Sequence, residues 1–267
     1  MVSTGRGTNQ FNNALITGAT AGIGYELSKL FAQDNYNLIL VARDKQMLAK
    51  RKEEFESKYN GVMTTISSDL SFPGAAEELY ESIKEKGLRV DVLVNNAGFG
   101  VLGTFTETDL PTDIKMVNLN ITSLMVLTKL FLREMVERNS GIILNVASTA
   151  AFQPGPLMAV YYASKAFVVS FTQALSNEMK DSNVLVSTLC PGPTRTEFQQ
   201  RANMGDVLLS KFNMMDAATC ARIAYDGIRK GKTLIIPGVL NKLTVQSNRL
   251  FPRKLVIAVA RRLQEKR

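Results

Sequence analysis

The chain has 267 residues, 45% hydrophobic and 21% charged, with two cysteines, no tryptophan and no histidine. That composition excludes a disordered tail, a coiled-coil rod and a disulfide-stapled module, and predicts a soluble globular protein able to bury an ordinary core. Without histidine there is no Ser-His-Asp or Cys-His catalysis and no histidine-containing metal site, so acid–base chemistry near neutral pH must fall to a tuned Tyr, Lys, Asp or Glu.

The formal net charge is +8, but from Ile228 onward eleven Lys and Arg face one acid, Glu265, so this segment carries +10 and the rest of the chain −2. Basicity confined to the C-terminal segment argues against nucleic-acid binding by the main body. Cys190 and Cys220 read as reduced, buried thiols, and no leader is visible ahead of Phe11, which predicts a cytoplasmic protein. The longest uncharged stretch, Asn139 to Ser164, is interrupted by Pro154-Gly155-Pro156, so no membrane span is expected.

Residues 1–10, rich in Gly, Thr, Ser and Asn, read as a loose terminus. Short β-branched runs then alternate with longer amphipathic stretches. A strand over Ala14–Thr17 is followed by a helix over Ile23–Asp34, a strand over Asn37–Val41, a helix over Lys45–Tyr59 and a strand over Val62–Ile66. Next come a helix over Ala75–Lys86, a strand over Val90–Val94, one long helix from about Ile114 to Arg138 and a strand over Gly141–Val146. A helix over Met158–Met179 leads to strands at Val184–Leu189 and Thr233–Ile236, and residues 239–267 read as a basic helical extension. Seven strands with intervening helices predict one doubly wound parallel α/β sheet with its ligand at the carboxyl ends of the strands.

The first strand runs directly into Thr17-Gly-Ala-Thr-Ala-Gly-Ile-Gly24. Glycines there allow a tight turn and let backbone N–H groups approach a pyrophosphate at the positive end of a helix, although an ordinary strand-to-helix turn uses glycine too. The spacing, TGxxxGxG rather than GxGxxG, resembles the short-chain dehydrogenase/reductase superfamily. Further elements fall in that family's order: Asn95-Asn-Ala-Gly98 after the fourth strand, Ser148 after the fifth, Tyr161-Tyr-Ala-Ser-Lys165 thirteen residues later, and Pro191-Gly192 after the sixth. The likeness covers roughly Asn12 to Thr196.

The resemblance implies a Rossmann-type single domain, a nicotinamide cofactor and a site made of named residues. The loop backbone at Gly18, Thr20, Gly22, Ile23 and Gly24 would hold the diphosphate. Asp69 and Leu70 would meet the adenine edge and Asn95 the adenosine ribose side, and Ala97 and Gly98 would also bind the cofactor. Thr194 and Thr196, after Pro191 and Gly192, would bracket the nicotinamide amide and diphosphate. The second strand ends Val41-Ala42-Arg43-Asp44, which by the resemblance puts Ala42 where an acid would select a free ribose 2′-OH and Arg43 next to it, so NADP(H) is expected over NAD(H). Asp44 fits a helix N-cap.

Tyr161 and Lys165 are four apart in a helical stretch and so share a face. An adjacent ammonium favours phenolate and is expected to lower the phenol pKa. In the family's mechanism the tyrosine donates a proton to a carbonyl as hydride arrives from the nicotinamide, the lysine also holds the nicotinamide ribose, and Ser148 bonds the substrate oxygen. A relay asparagine behind the lysine would be Asn120, since the small Ser123 follows it, with Asn118 the other candidate. Tyr162 reads as packing remote from the cofactor.

Substrate choice is expected from loops after Phe99, over Phe152 to Met158, and over 197–215. Their Phe99, Leu102, Phe152, Leu157, Met158, Phe198, Met204, Leu208, Phe212 and Met214 suit a bulky apolar carbonyl compound or alcohol, or else are core or oligomer contact. A homodimer or homotetramer built on the helices near 114–138 and 158–179 is expected by resemblance. In the last stretch Phe251, Leu255, Val259 and Leu263 recur at helical spacing among Arg253, Lys254, Arg261, Arg262, Lys266 and Arg267. Such a basic amphipathic helix either docks on the domain or a sister subunit, or touches an anionic membrane surface. A catalytically idle NADP(H)-binding regulator and a membrane-surface adaptor are the competing functional readings.

Overall fold

The computed structural model describes residues 12–202, 207, 214–248 and 250–265. The expected loose terminus, Met204, Leu208, Phe212, Lys266 and Arg267 lie outside the described residues. Strands β1 (Asn13–Thr17), β2 (Asn37–Ala42), β3 (Met63–Ser67), β4 (Val92–Asn95), β5 (Gly141–Val146) and β6 (Val184–Leu189) lie close to their sequence-predicted places. Two-residue strands β7 (Thr194–Arg195) and β8 (Met215–Asp216) pair with each other, and β9 (Leu234–Ile235) closes the main sheet. That sheet has seven parallel strands in the order β3-β2-β1-β4-β5-β6-β9. The order reverses between β1 and β4, which opens a crevice at the carboxyl ends of those two strands.

Alternation along each strand sends side chains to two cores. Ala14, Ile16, Leu38 and Leu40 pack beneath α1 (Gly22–Gln33) and α2 (Lys45–Glu56), while Leu15, Ile39 and Val41 pack beneath α3 (Ala75–Glu85). The Asp44 carboxylate caps α2, its Oδ1 accepting from the Met47 N–H at 2.9 Å.

The expected single helix from Ile114 to Arg138 is three pieces: α4 (Leu110–Val117), a π-helical turn over Asn118–Ser123, and α5 (Leu124–Glu137). Inside the turn Asn120 and Ser123 point inward, and Ser123 Oγ donates to the Leu70 carbonyl at 2.7 Å. The wider turn holds these polar side chains against neighbouring backbone, a reason for its register. The stretch Leu110–Glu137 is long and apolar enough to cross a bilayer by length and composition alone. In this fold Leu127, Phe131 and Met135 pack into the core beside β4 and β5, the place of a core helix.

After α6 (Ala159–Glu178) and the short α7 (Phe198–Arg201), the chain forms α8 (Ala217–Arg229), a helix absent from the sequence-based reading. Asp216 caps it through Thr219 N–H at 2.7 Å, and Tyr225 and Arg229 both reach Asp34 after α1. Last come α9 (Val239–Ser247) and α10 (Arg253–Gln264). The apolar stripe of α10 does not dock on its own domain: Phe251, Leu255 and Val259 are more than half exposed, and the buried positions are Ala260 and Gln264, with Leu263 partly covered.

Candidate active site

The carboxyl ends of the strands open into a cleft of about 1010 Å³. Its floor near β1 is the glycine loop, where Gly18 and Gly22 take φ of +66° and +57°, a region that side chains other than glycine rarely adopt. Gly24, expected to hold the diphosphate with the rest of the loop, does not line the cleft. It lies behind the loop, where a Cβ would fall 2.4 Å from the Gly18 carbonyl oxygen and from Asn96 Nδ2, so it permits close packing of α1. Helix α1 begins at Gly22 with no side-chain cap and no acid in its first turn, leaving its positive end open to an anion.

Of Asn95 and Asn96, the structure turns the wrong one inward for the expected ribose contact. Asn95 is buried, and its Nδ2 donates to Thr128 Oγ1 at 3.0 Å and Asn145 Oδ1 at 2.9 Å in a polar network under the sheet. Asn96 faces the cleft and ties the glycine loop down, its Nδ2 donating to the Thr17 carbonyl at 2.9 Å. One residue of strand reverses the face, so neighbouring asparagines take unrelated jobs. Thr20, Ile23, Asp69, Leu70, Ala97 and Gly98 all line the same cleft, as do Pro191, Gly192, Thr194 and Thr196. A Cβ on Gly22 would meet Thr196 at 3.1 Å, so the segment after β6 closes over the loop.

The β2 end places Ala42, Arg43 and Asp44 along the cleft edge. Arg51, which the sequence reading missed, also lines it; it donates to the Thr20 carbonyl at 3.0 Å, pairs with Glu54 at 2.8 Å and stacks 4.0 Å over the Tyr25 ring. Backbone N–H groups at a helix start, positive φ glycines and flanking arginines together fit the diphosphate of a dinucleotide.

On α6, Tyr161 and Lys165 stand one turn apart and both face the cleft, with Lys165 Nζ 5.9 Å from the Tyr161 ring centroid. Lys165 is buried and donates to the Val146 carbonyl at 2.9 Å; burial pushes its pKa down to about 8. Tyr161 departs from expectation. Burial pushes its phenol up to about 12, with the Ser148 hydroxyl working in the other direction. Ser148 caps the 3-10 turn Thr149–Phe152, its Oγ accepting from Ala150 N–H at 3.1 Å, which fixes the hydroxyl on the cleft wall.

Asn120 is fully buried and does not line the cleft. Its Nδ2 donates to the Phe99 carbonyl at 2.9 Å and to Ser164 Oγ at 3.1 Å, and a Cβ on Gly98 would meet both Asn120 Oδ1 and Lys165 Nζ. It therefore sits beside the lysine through Gly98, as the half-buried Asn118 does not. Tyr162 is a second departure: it lines the cleft and meets Gln264 of α10. Of the expected apolar lining, Phe99, Met158, Phe198 and Met214 face the cleft, whereas Leu102, Phe152 and Leu157 do not. The missed lining comes from α9 and α10, through Leu240, Asn241, Thr244, Ala260, Leu263 and Gln264.

A family model described as short chain dehydrogenase matches residues 12–206. The chain is 36% identical over 195 residues to a 17-beta-hydroxysteroid dehydrogenase type 3 of Mus musculus, a match covering 71% of this chain and 62% of that protein. It is also 36% identical over 184 residues to a very-long-chain 3-oxoacyl-CoA reductase of Anas platyrhynchos, covering 67% of this chain and 58% of that protein. The matches thus span about three-fifths of the length of these relatives. A short-chain dehydrogenase of Sphingobium yanoikuyae solved in complex with NADPH superposes with a TM-score of 0.81 at 28% identity, over 90% of this chain and 95% of that one. With the glycine loop, the Ser148, Tyr161 and Lys165 side chains and the seven-stranded sheet in the matching order, the chain belongs to the short-chain dehydrogenase/reductase family.

Proposed function

We propose that the protein is an NADP(H)-dependent oxidoreductase that interconverts a carbonyl and an alcohol on a bulky apolar substrate. The observation that carries this reading is the placing of Tyr161, Lys165 one helical turn away and Ser148 together on one cleft wall. A phenol on this wall is placed to give a proton to a carbonyl oxygen, while Ser148 Oγ orients that oxygen. A bound nicotinamide would supply the hydride. Lys165 offers its ammonium to both the phenol and the cofactor ribose, and the Asn120 amide beside Gly98 supports the lysine's surroundings. These intact groups argue against an idle nucleotide-binding regulator.

NADP(H) is favoured over NAD(H) because β2 ends in Ala42, Arg43 makes no ion pair among the described residues, and the Asp44 carboxylate is occupied in capping α2. The NADPH in the related Sphingobium structure agrees with this choice. Phe99, Val101, Met158, Phe198, Leu240 and Leu263 give the substrate end an apolar lining, which suits an acyl chain, steroid or aromatic ketone, as do the hydroxysteroid and 3-oxoacyl substrates named for the two relatives. The test is NADPH oxidation against a panel of bulky ketones and 3-oxoacyl thioesters.

A second reading concerns where the enzyme works. Val239, Leu240 and Leu243 of α9 and Leu250, Phe251, Leu255 and Val259 around α10 are all more than half exposed, beside the cleft that Leu240 itself lines. Lys242, Arg253, Lys254, Arg261 and Arg262 lie in the same two helices, Arg261 paired with Glu265. Apolar side chains accompanied by cations fit peripheral attachment to an anionic lipid surface, with apolar substrate entering from the lipid. Homo-oligomerisation is the third element of the proposal, through the outer faces of α4, α5 and α6.

A further inference from the structure

Gln264 is 1% exposed near the end of α10, on the wall of the cleft. Its Nε2 donates to the Tyr162 hydroxyl at 2.5 Å, and its Oε1 is buried with no hydrogen-bond partner among the described residues. Buried amide oxygens are nearly always satisfied, so this one is an unmet demand at a ligand-sized cavity. A tyrosine oxygen that accepts a hydrogen bond keeps its own hydrogen to give. The pair therefore offers one donor and one acceptor.

The Tyr162 ring is held in place from behind: it lies on Gly155, where any Cβ would fall 2.2 Å from the ring. It stands at 77° to the Tyr161 ring with centroids 6.0 Å apart, and the two hydroxyls have different partners, Ser148 for one and Gln264 for the other. The cleft residues of α9 and α10, Leu240, Asn241, Thr244, Ala260, Leu263 and Gln264, are all neutral. An uncharged group that both gives and takes a hydrogen bond suits such a wall better than a carboxylate or phosphate, which would be desolvated without a counter-charge.

We propose that Tyr162 and Gln264 form a second polar subsite, which binds a hydroxyl of the substrate apart from its reacting carbonyl. The inference rests on the reading of Tyr161 as the group that meets the carbonyl. Specificity follows because a site built to bond a hydroxyl penalises the analogue that lacks it.

The experiment is calorimetric titration of the full chain, saturated with oxidised cofactor, with ω-hydroxyalkan-2-ones of increasing length, each beside the same ketone without the hydroxyl. At one chain length the hydroxy ketone should bind roughly threefold to tenfold more tightly, the worth of a neutral hydrogen bond. Gln264→Met and Tyr162→Phe should each bring the ratio of the two affinities close to one. No advantage at any length, or variants that weaken both probes alike, overturns the subsite. Discrimination in binding without reduction of either probe by NADPH would keep the subsite and remove the proposed reaction instead.

Discussion

At the residue scale the decisive effect is burial at Tyr161, which the Ser148 hydrogen bond only partly offsets. Spacing in the sequence identifies the Tyr161–Lys165 pair, but the sign of the phenol's shift depends on desolvation, which spacing does not reveal. With its pKa pushed up to about 12, Tyr161 carries its proton across the neutral range. Ketone reduction, which needs the phenol, should therefore hold from neutral to mildly alkaline pH, whereas alcohol oxidation, which needs the phenolate, should climb as pH rises. Rate profiles in both directions check this, and an oxidation optimum below neutral pH would contradict it. Arg43 is exposed, so its contact with a 2′-phosphate would be partly screened; Arg43→Ala should lower the preference for NADPH over NADH by roughly fivefold in titrations of either cofactor. Equal affinity of the unaltered protein for the two would remove the NADP(H) assignment. Asn95 shows where residue-level reading fails. Motif order locates the pair Asn95-Asn96, but only the end of β4 decides which side chain enters the core network and which reaches the glycine loop.

Among elements, the alternation of β-branched runs with amphipathic stretches made all seven strands of the main sheet legible. The helices were legible where one face is apolar and less so elsewhere. The π turn at Asn118–Ser123 escaped because it is set by tertiary hydrogen bonds to Phe99 and Leu70. Helix α8 did carry a local signal, Asp216 as cap with Cys220, Ala221, Ala224, Tyr225 and Ile228 on one face, and was passed over. In α10 the apolar spacing is legible in the sequence but its direction is not: Ala260 and Gln264 meet the body, and the stripe Phe251, Leu255, Val259 turns outward. That orientation supports a membrane prediction. Full-length protein should co-sediment with anionic vesicles at low salt and dissociate at high salt, given about 1 kcal/mol per basic residue near such a surface. Leu255→Glu together with Val259→Glu should abolish binding without altering NADPH affinity. Failure of the unaltered protein to bind anionic vesicles would leave α10 only its role as a wall of the cleft.

For the whole molecule, topology puts the candidate site at the carboxyl ends of the strands and leaves helical faces elsewhere uncovered. Ile114, Val117 and Met125 of α4 and α5 are exposed, and α6 presents the small Ala163, Ala166 and Ser170 beside the stacked rings of Phe167 and Phe171. Flat, apolar helix faces of this kind favour a symmetric assembly. Light scattering at micromolar concentration should report a dimer or tetramer, and Ile114→Lys with Met125→Lys should shift it to monomer; a monomer throughout would contradict the assembly. The central claim is that Tyr161 gives a proton to a bulky carbonyl while NADPH is consumed. It is tested most directly by the initial rate of NADPH oxidation with bulky ketones and 3-oxoacyl thioesters, measured for the unaltered protein and for Tyr161→Phe. The account predicts carbonyl-dependent oxidation that falls about a hundredfold to ten-thousandfold in Tyr161→Phe with NADPH binding retained. NADPH binding without carbonyl-dependent oxidation, or a Tyr161→Phe protein as fast as the unaltered one, would contradict it.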